Sequence, residues 1–307
     1  MKRMFLILVL GVTMVLGQIT SIHDIQYVVD PETDDASPLL GQTVTISGVV
    51  TAEYWGTYNT RTMYIQDAEA AWSGIYAFNY SDNGWQDVET TYDPGVNRTT
   101  VIEGDSVTVT GVVDEYYNVT ELLPNSLVVH GLAANPPQPM LLTPAEANAE
   151  QYEGCLVTFE NVTVDNPDEG NGEWSFTDGV SSLSTNDEWG YYYYPTAGAE
   201  LASITGVMQF SYGAYKVLPR LARDIVQAGE FTRVQRIQQV LGSALYMLPD
   251  SAYVDASYMV GDTVSCIGIV TVPTAEISGW DTTGGVLTGY SRFIWEDPKG
   301  GPYSAIL

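Results

Sequence analysis

The feature that most constrains this chain is a ten-residue ladder that recurs along it. Gly41-Gln42-Thr43-Val44-Thr45-Ile46-Ser47-Gly48-Val49-Val50 is matched by Gly104-Asp105-Ser106-Val107-Thr108-Val109-Thr110-Gly111-Val112-Val113. It returns as Gly261-Asp262-Thr263-Val264-Ser265-Cys266-Ile267-Gly268-Ile269-Val270. Weaker copies occupy residues 154–162 and 202–207. Each of the three strong copies opens on a Gly turn. Val and Ile then alternate with Thr and Ser, a period of two that puts the apolar set on one face of a strand. The Gly inside the ladder lets the strand bend or bulge, as at a barrel corner. Beyond it both faces turn apolar, where the strand crosses from one sheet into the next.

A strand that coils around a small five-stranded barrel needs such a bend, so the expected fold is all-β, with tandem OB-like barrels and few short helices. Likeness of first and fourth strands within one barrel accounts for the copies at Gly41 and Gly104. Arg61-Thr62-Met63-Tyr64-Ile65-Gln66-Asp67 resembles Ser291-Arg292-Phe293-Ile294-Trp295-Glu296-Asp297, each downstream of its ladder. Ile22-His23-Asp24-Ile25-Gln26 resembles Ile237-Gln238-Gln239-Val240 ahead of the third unit. Three modules follow: residues 22–135, 139–226 after a Pro-rich linker, and 232–307. The third stops within the strand that should follow residues 294–297, so it is expected to be truncated, with a further domain downstream. The middle module shares the ladder but not the leader. Thr143 as N-cap and Pro144 at the first helical position predict a short helix over 144–152. Residues 233–245 are a second helix candidate.

Lys2 and Arg3, an apolar run over 5–16 and Gly17 read as a signal peptide over 1–17. The run is short for a membrane span, so no span is expected after cleavage, and the mature chain is expected to be secreted or held at a cell surface. With 38 acidic and 11 basic residues the formal charge is −27, which favours solubility and cation binding and repels polyanions. Cys155 and Cys266 sit in strand patterns as buried thiols. His23 and His130 are placed in separate strands, and no His-x-x-x-His or Cys-x-x-Cys pair implies zinc. No nucleophile elbow or phosphate loop occurs, so no catalytic residue is expected.

The leader at Ile22, the segment Ser37-Pro38-Leu39-Leu40-Gly41, Tyr64-Ile65-Gln66-Asp67 and the two ladders at Gly41 and Gly104 together resemble OB-fold modules of exported bacterial proteins. Such modules occur beside extracellular nucleases of the endonuclease/exonuclease/phosphatase type and beside lamin-tail-like domains. The resemblance covers about 22–225 and restarts near 237. It implies a nucleic-acid-binding accessory role, with the nuclease residues outside this sequence.

OB barrels bind single strands or sugars on one face, with exposed rings as platforms. The stacking candidates are Tyr54, Trp55, Tyr58, Tyr64 and Tyr76 with Arg61 among them, and Tyr116 and Tyr117 after the fourth strand. Tyr191 to Tyr194 form a further run. Lys216, Arg220 and Arg223 with Arg61 are the candidate basic patch. Asp165, Asp168, Glu169 and Glu173 gather oxygen ligands around glycines, a weak calcium candidate without EF-hand order; Asp30 to Asp35 is weaker still. Two functional expectations follow. One is a nucleic-acid accessory module, against which the charge counts. The other is a structural or adhesive module for protein or carbohydrate.

Overall fold

The computed structural model describes residues 19–55, 61–79, 87–187, 193 and 195–229, and short strand segments between 269 and 306. The candidate signal segment, Tyr58, Cys266, the helix candidate over 233–245, and Tyr191, Tyr192 and Tyr194 lie outside the described residues. Tyr54, Trp55 and Arg61 are placed by backbone alone.

A short helix, α1 (Ile22–Gln26), leads into β1 (Thr43–Trp55), β2 (Arg61–Gln66), β3 (Gly74–Phe78), β4 (Glu89–Tyr92), β5 (Asp105–Glu115) and β6 (Thr120–Leu132). The strands pair in the order β3-β2-β1-β5-β6, and a parallel pairing of β3 with β6 closes the ring. β4 lies parallel to β6 outside the ring. Five strands, first beside fourth and third beside fifth, make an OB-fold barrel.

The ladder explains itself in the pairing of β1 with β5. Val44, Ile46, Val107 and Val109 point into a common core. The outward Thr and Ser hydroxyls bond to each other across the strands, Thr45 to Thr110 and Ser47 to Thr108, both at 2.9 Å. A Cβ at ladder Gly48 would lie 2.7 Å from Ile65 Cγ2 and 2.9 Å from the Gln66 carbonyl oxygen. The same crowding recurs at Gly111 against Leu123 and at Gly206 against Leu218. These glycines are required by close backbone approach where the strand bends.

β7 (Met140–Leu141), α2 (Pro144–Ala147), β8 (Leu156–Gly170), β9 (Glu173–Thr177), β10 (Ser182–Thr185), β11 (Glu200–Ser211), β12 (Ala214–Leu218) and β13 (Ile225–Gln227) build the second barrel. Its ring runs β8-β9-β10-β12-β11, with β10 parallel to β12 and β11 antiparallel to β8. The core holds Phe159, Trp174, Phe176, Ile204 and Met208. Tyr193 is buried there too, its hydroxyl accepting from Gln227 Nε2 at 2.6 Å.

Three sequence expectations change. His23 stands on a helix rather than a strand, because the Ser21 side chain caps the Asp24 amide and α1 turns Ile22 and Ile25 into the barrel core. The middle module does have a structural counterpart of the leader. α2, with a Thr143–Glu146 capping box, buries Ala147 in the second core. It is shorter than the helix expected over 144–152. It ends at Ala147 with Asn148 as its C-cap, and Glu150–Tyr152 form a separate 3₁₀ turn.

The later segments are β14 (Ile269–Val272), β15 (Gly279–Asp281), β16 (Thr288–Tyr290), β17 (Ile294–Glu296) and β18 (Ala305–Ile306). β14 pairs with β17 as Ile269–Glu296, Val270–Trp295 and Val272–Ile294, with a shift after Val270. β1 pairs with β2 as Val49–Gln66, Val50–Ile65 and Ala52–Tyr64, with a shift after Val50. The end of the third ladder, at Ile269 and Val270, therefore repeats the register and the irregularity seen at Val49 and Val50.

The first two barrels dock. Ala52 and Tyr64 of the first pack on Leu156 and Val207 of the second, with Tyr76 at the edge. Gly74 and Gly154 meet backbone to backbone. The Leu156 amide donates to Gln66 Oε1 at 2.8 Å, and the Trp72 amide to the Gln151 carbonyl at 2.6 Å. Arg220 closes the joint from the other side. It donates to Asp224, to Glu103 and to the Thr51 carbonyl, while Arg223 also donates to Glu103.

Candidate functional site

The alternation of β2 and β3 decides what the first barrel offers. Met63, Ile65, Ile75 and Ala77 point inward. Tyr64, Gln66, Tyr76 and Phe78 therefore point outward, on the second-and-third-strand face that OB barrels use for binding. That face is largely covered by the second barrel. Tyr64 is 1% exposed, so it is an interface ring and not a solvent-facing platform. Tyr76 is half-buried, 5.0 Å from Tyr64 and stacked at 6.0 Å on Phe78. The period of two foretold the outward direction but not the covering.

Tyr116 and Tyr117 stand differently. They tip the β5–β6 hairpin, with centroids 4.6 Å apart and an edge-on geometry. Tyr117 is 81% exposed. Tyr117 and Asn118 both have positive φ, at 51° and 65°, the pattern of a type I′ turn. The β11–β12 hairpin repeats this with Tyr212 at φ 51° and Gly213 at 82°. Tyr212 is 99% exposed, and Lys216 Nζ lies 5.6 Å from its ring centroid.

A left-handed tyrosine costs about 1–2 kcal/mol against a residue suited to that conformation. Both barrels tolerate it at the same turn. Tyr212 was missed in the sequence, although a signal exists: Tyr117 and Tyr212 each follow their ladder glycine, Gly111 and Gly206, at equal spacing. Tyr117→Asn is expected to stabilise the fold by up to about 1 kcal/mol, measured by urea denaturation, because Asn accepts the left-handed region.

The described members of the candidate basic patch, Lys216, Arg220 and Arg223, are each held by carboxylates. Arg98 is paired with Asp105, Lys216 with Glu173 at 2.6 Å, and Arg220 and Arg223 with Glu103 and Asp224. These four are the Lys and Arg side chains among the described residues. Arg220 and Arg223 are spent on the joint, with side chains 10% and 18% exposed.

The calcium candidates do not converge either. Asp165 accepts from Ser182 Oγ at 2.8 Å, and Glu169 from Ser184 Oγ at 2.7 Å. Asp168 accepts from the Gly170 amide at 2.9 Å, and Glu173 takes Lys216. Each carboxylate is turned to a donor of its own barrel, and no group of three or more His, Cys, Asp or Glu among the described residues is arranged to hold a metal. Asp30 accepts from Thr33 within its own turn. A shallow cleft of 360 Å³ lies between Leu141, Pro144, Glu146, Glu160 and Asp178. Two of its carboxylates serve as local caps, Glu146 to Thr143 and Asp178 to the Val180 and Ser181 amides.

Cys155 is a buried free thiol beside Ser73 at the joint, and burial pushes its pKa up to about 11. It is chemically quiet. No helix among the described residues is long and apolar enough to cross a membrane.

No family model and no curated protein sequence matches this chain. Solved structures with local likeness include the aspartyl-tRNA synthetase of Entamoeba histolytica, at 15% identity and a TM-score of 0.26, covering 43% of this chain and 25% of that one. The asparaginyl-tRNA synthetase of Pyrococcus horikoshii shares 17% identity at a TM-score of 0.24, covering 33% and 22%. The second OB-fold domain of replication protein A from Methanococcus maripaludis shares 14% at 0.18, covering 36% of this chain and 98% of the domain. The chain spans a quarter or less of either synthetase. Likeness at this level assigns nothing further to this chain.

Proposed function

We propose that the docked barrels are a non-catalytic binding unit of an exported protein, and that they engage a carbohydrate or protein surface through the hairpin tips at Tyr117 and Tyr212. The observation that carries this reading is the pairing of each described Lys and Arg side chain with a carboxylate. Affinity for nucleic acid rests largely on cations that neutralise phosphate. A chain of formal charge −27 with its described cations already paired is poorly equipped for that. The tyrosine tips offer rigid, amphipathic contact area that needs no charge. The basic, apolar N-terminus supports export.

The exposed rings favour a second reading, a single-strand nucleic-acid accessory of a nuclease, because bases stack on aromatic faces. One titration separates the two. The purified chain is offered fluorescent single-stranded DNA and, in parallel, immobilised polysaccharides and exported proteins, over a range of salt. The proposal expects no DNA binding at low salt. It expects polysaccharide or protein capture that changes little with salt and is lost in Tyr117→Ala/Tyr212→Ala. DNA binding that weakens steeply, with a slope of about −0.7 per phosphate contact, would replace it with the nucleic-acid reading.

A further inference from the structure

Between the hairpin tips, the joint buries acid against acid. Glu150 opens the 3₁₀ turn that leads into the second barrel and Glu153 caps its end, 7% and 3% exposed. Glu115, at the end of β5, faces them with Asp35 from the loop before β1. Glu153 Oε1 accepts the Thr120 amide of the first barrel at 3.2 Å, and Glu150 accepts the Tyr215 hydroxyl of the second. Asp35 accepts from Asn118 Nδ2 at 2.6 Å. Glu115 Oε2 accepts from Thr120 Oγ1 at 2.9 Å.

None of the ion pairs among the described residues includes any of these four carboxyls. One oxygen, Glu153 Oε2, is buried with no hydrogen-bond partner. An ionised carboxylate buried that way, beside others and without a cation, is costly. A proton on it removes one charge and supplies a donor for a neighbouring oxygen.

We propose that this cluster is a proton-operated latch, in which protonated Glu150 and Glu153 hold the two barrels docked and their ionisation releases the joint. The titratable neighbours from each packed element are Asp35, Asp114, Glu115, Tyr215 and Cys155. Each is acidic or a weak acid, so their ionisation adds to the repulsion. Burial, with Asp35 and Glu115 nearby, raises Glu150 to about 7 despite the Tyr215 hydrogen bond. Burial, then Glu150 and Glu115, push Glu153 well above the usual range. A carboxyl that binds its proton more tightly when docked favours docking fully below the ordinary Glu value, and that contribution is lost as pH rises through the docked value. The joint is therefore tight in acid and loosens through neutral pH. The latch is independent of which ligand the tips engage.

Cys155 sits at this joint and reports on it. In a Cys266→Ser background it is the sole thiol. Its labelling by a maleimide is read in the full chain against the same chain in denaturant at each pH, which cancels the reactivity of the thiol itself. Protection is expected to fall about tenfold or more between about pH 5.5 and about pH 8.5. In Glu150→Gln/Glu153→Gln it is expected to stay high and nearly flat. Flat protection in the parent chain, or an equal fall in the Gln variant, overturns the latch. Should the double variant not fold, Glu150→Gln alone is expected to weaken the pH dependence, and an unchanged profile there overturns the latch as well. Small-angle scattering of the parent chain gives a second readout, with an expected increase in radius of gyration over the same range.

Discussion

Arg220→Ala is expected to destabilise the docked barrels by about 3–5 kcal/mol, the range for breaking a buried ion pair by removing one partner. The guanidinium holds three groups at once: the Asp224 carboxylate, Glu103 of the first barrel and the Thr51 carbonyl. Asp224 is 3% exposed. Burial alone would raise its pKa, but Arg220 outweighs burial and Arg223 adds to it, holding the carboxyl below its ordinary value. Truncation leaves that buried charge with Arg223, at 3.9 Å, as its only cation, beside the amide of residue 220 at 2.7 Å. A group held low when folded contributes stability above its unfolded pKa, and loses it as pH falls through the folded value. Arg220→Ala should therefore flatten the acid limb of the stability profile as well as lower its plateau. Arg220→Lys should fall between the two, since an ammonium keeps the charge but not the planar fork. Urea denaturation of the full chain across pH measures both effects. A loss below about 1 kcal/mol would mean the clasp behaves as a surface pair.

Gly74→Ala is expected to split the barrels while leaving each folded. A Cβ at Gly74 would overlap the backbone of Gly154 and the Cys155 amide, and a Cβ at Gly154 would lie 2.7 Å from Gly74 carbonyl carbon. The obstacle on each side is main chain, which cannot rotate away. Gly154 also has φ 73°, which adds backbone strain to any substitution there. Overpacking alone costs about 1–3 kcal/mol. Separation also returns Ala52, Tyr64, Leu156 and Val207 to water and exposes Cys155. The expected result is rapid Cys155 labelling and a broadened or two-step urea transition, with far-ultraviolet circular dichroism retained. A single unchanged transition would show that the glycine contact is not what sets the docking distance.

Much of the barrel architecture was legible because it is written in local pattern. The alternation around Val44 and Val107, and the glycines at 48 and 111, are imposed by a strand that must bend within a closed ring. Strands β14 and β17 of the third repeat carry the register of β1 and β2. What was not legible lies between elements. Alternation says that Tyr64 faces outward; it does not say that Leu156 and Val207 will cover it. Acidic residues that look alike in sequence divide by contact, with Glu173 on Lys216 and Glu153 on another acid's flank. The rings that stay exposed, Tyr117 and Tyr212, carry a signature in turn chemistry rather than in hydrophobicity.

The clasp also fixes how a pulling force would travel through the tandem. The chain meets the first barrel where Ile19 bridges Thr45 of β1, and leaves the second through β13, three residues paired to the edge of β11. Tension at that exit would peel β13 open one pair at a time, a low-resistance event for so short an edge strand. The next residue inward is Asp224, and through Arg220 it is tied to the Thr51 carbonyl inside β1. Load would pass from the last strand of one barrel to the first strand of the other without crossing the linker between them. The two barrels would then stretch as one body until the clasp gives way.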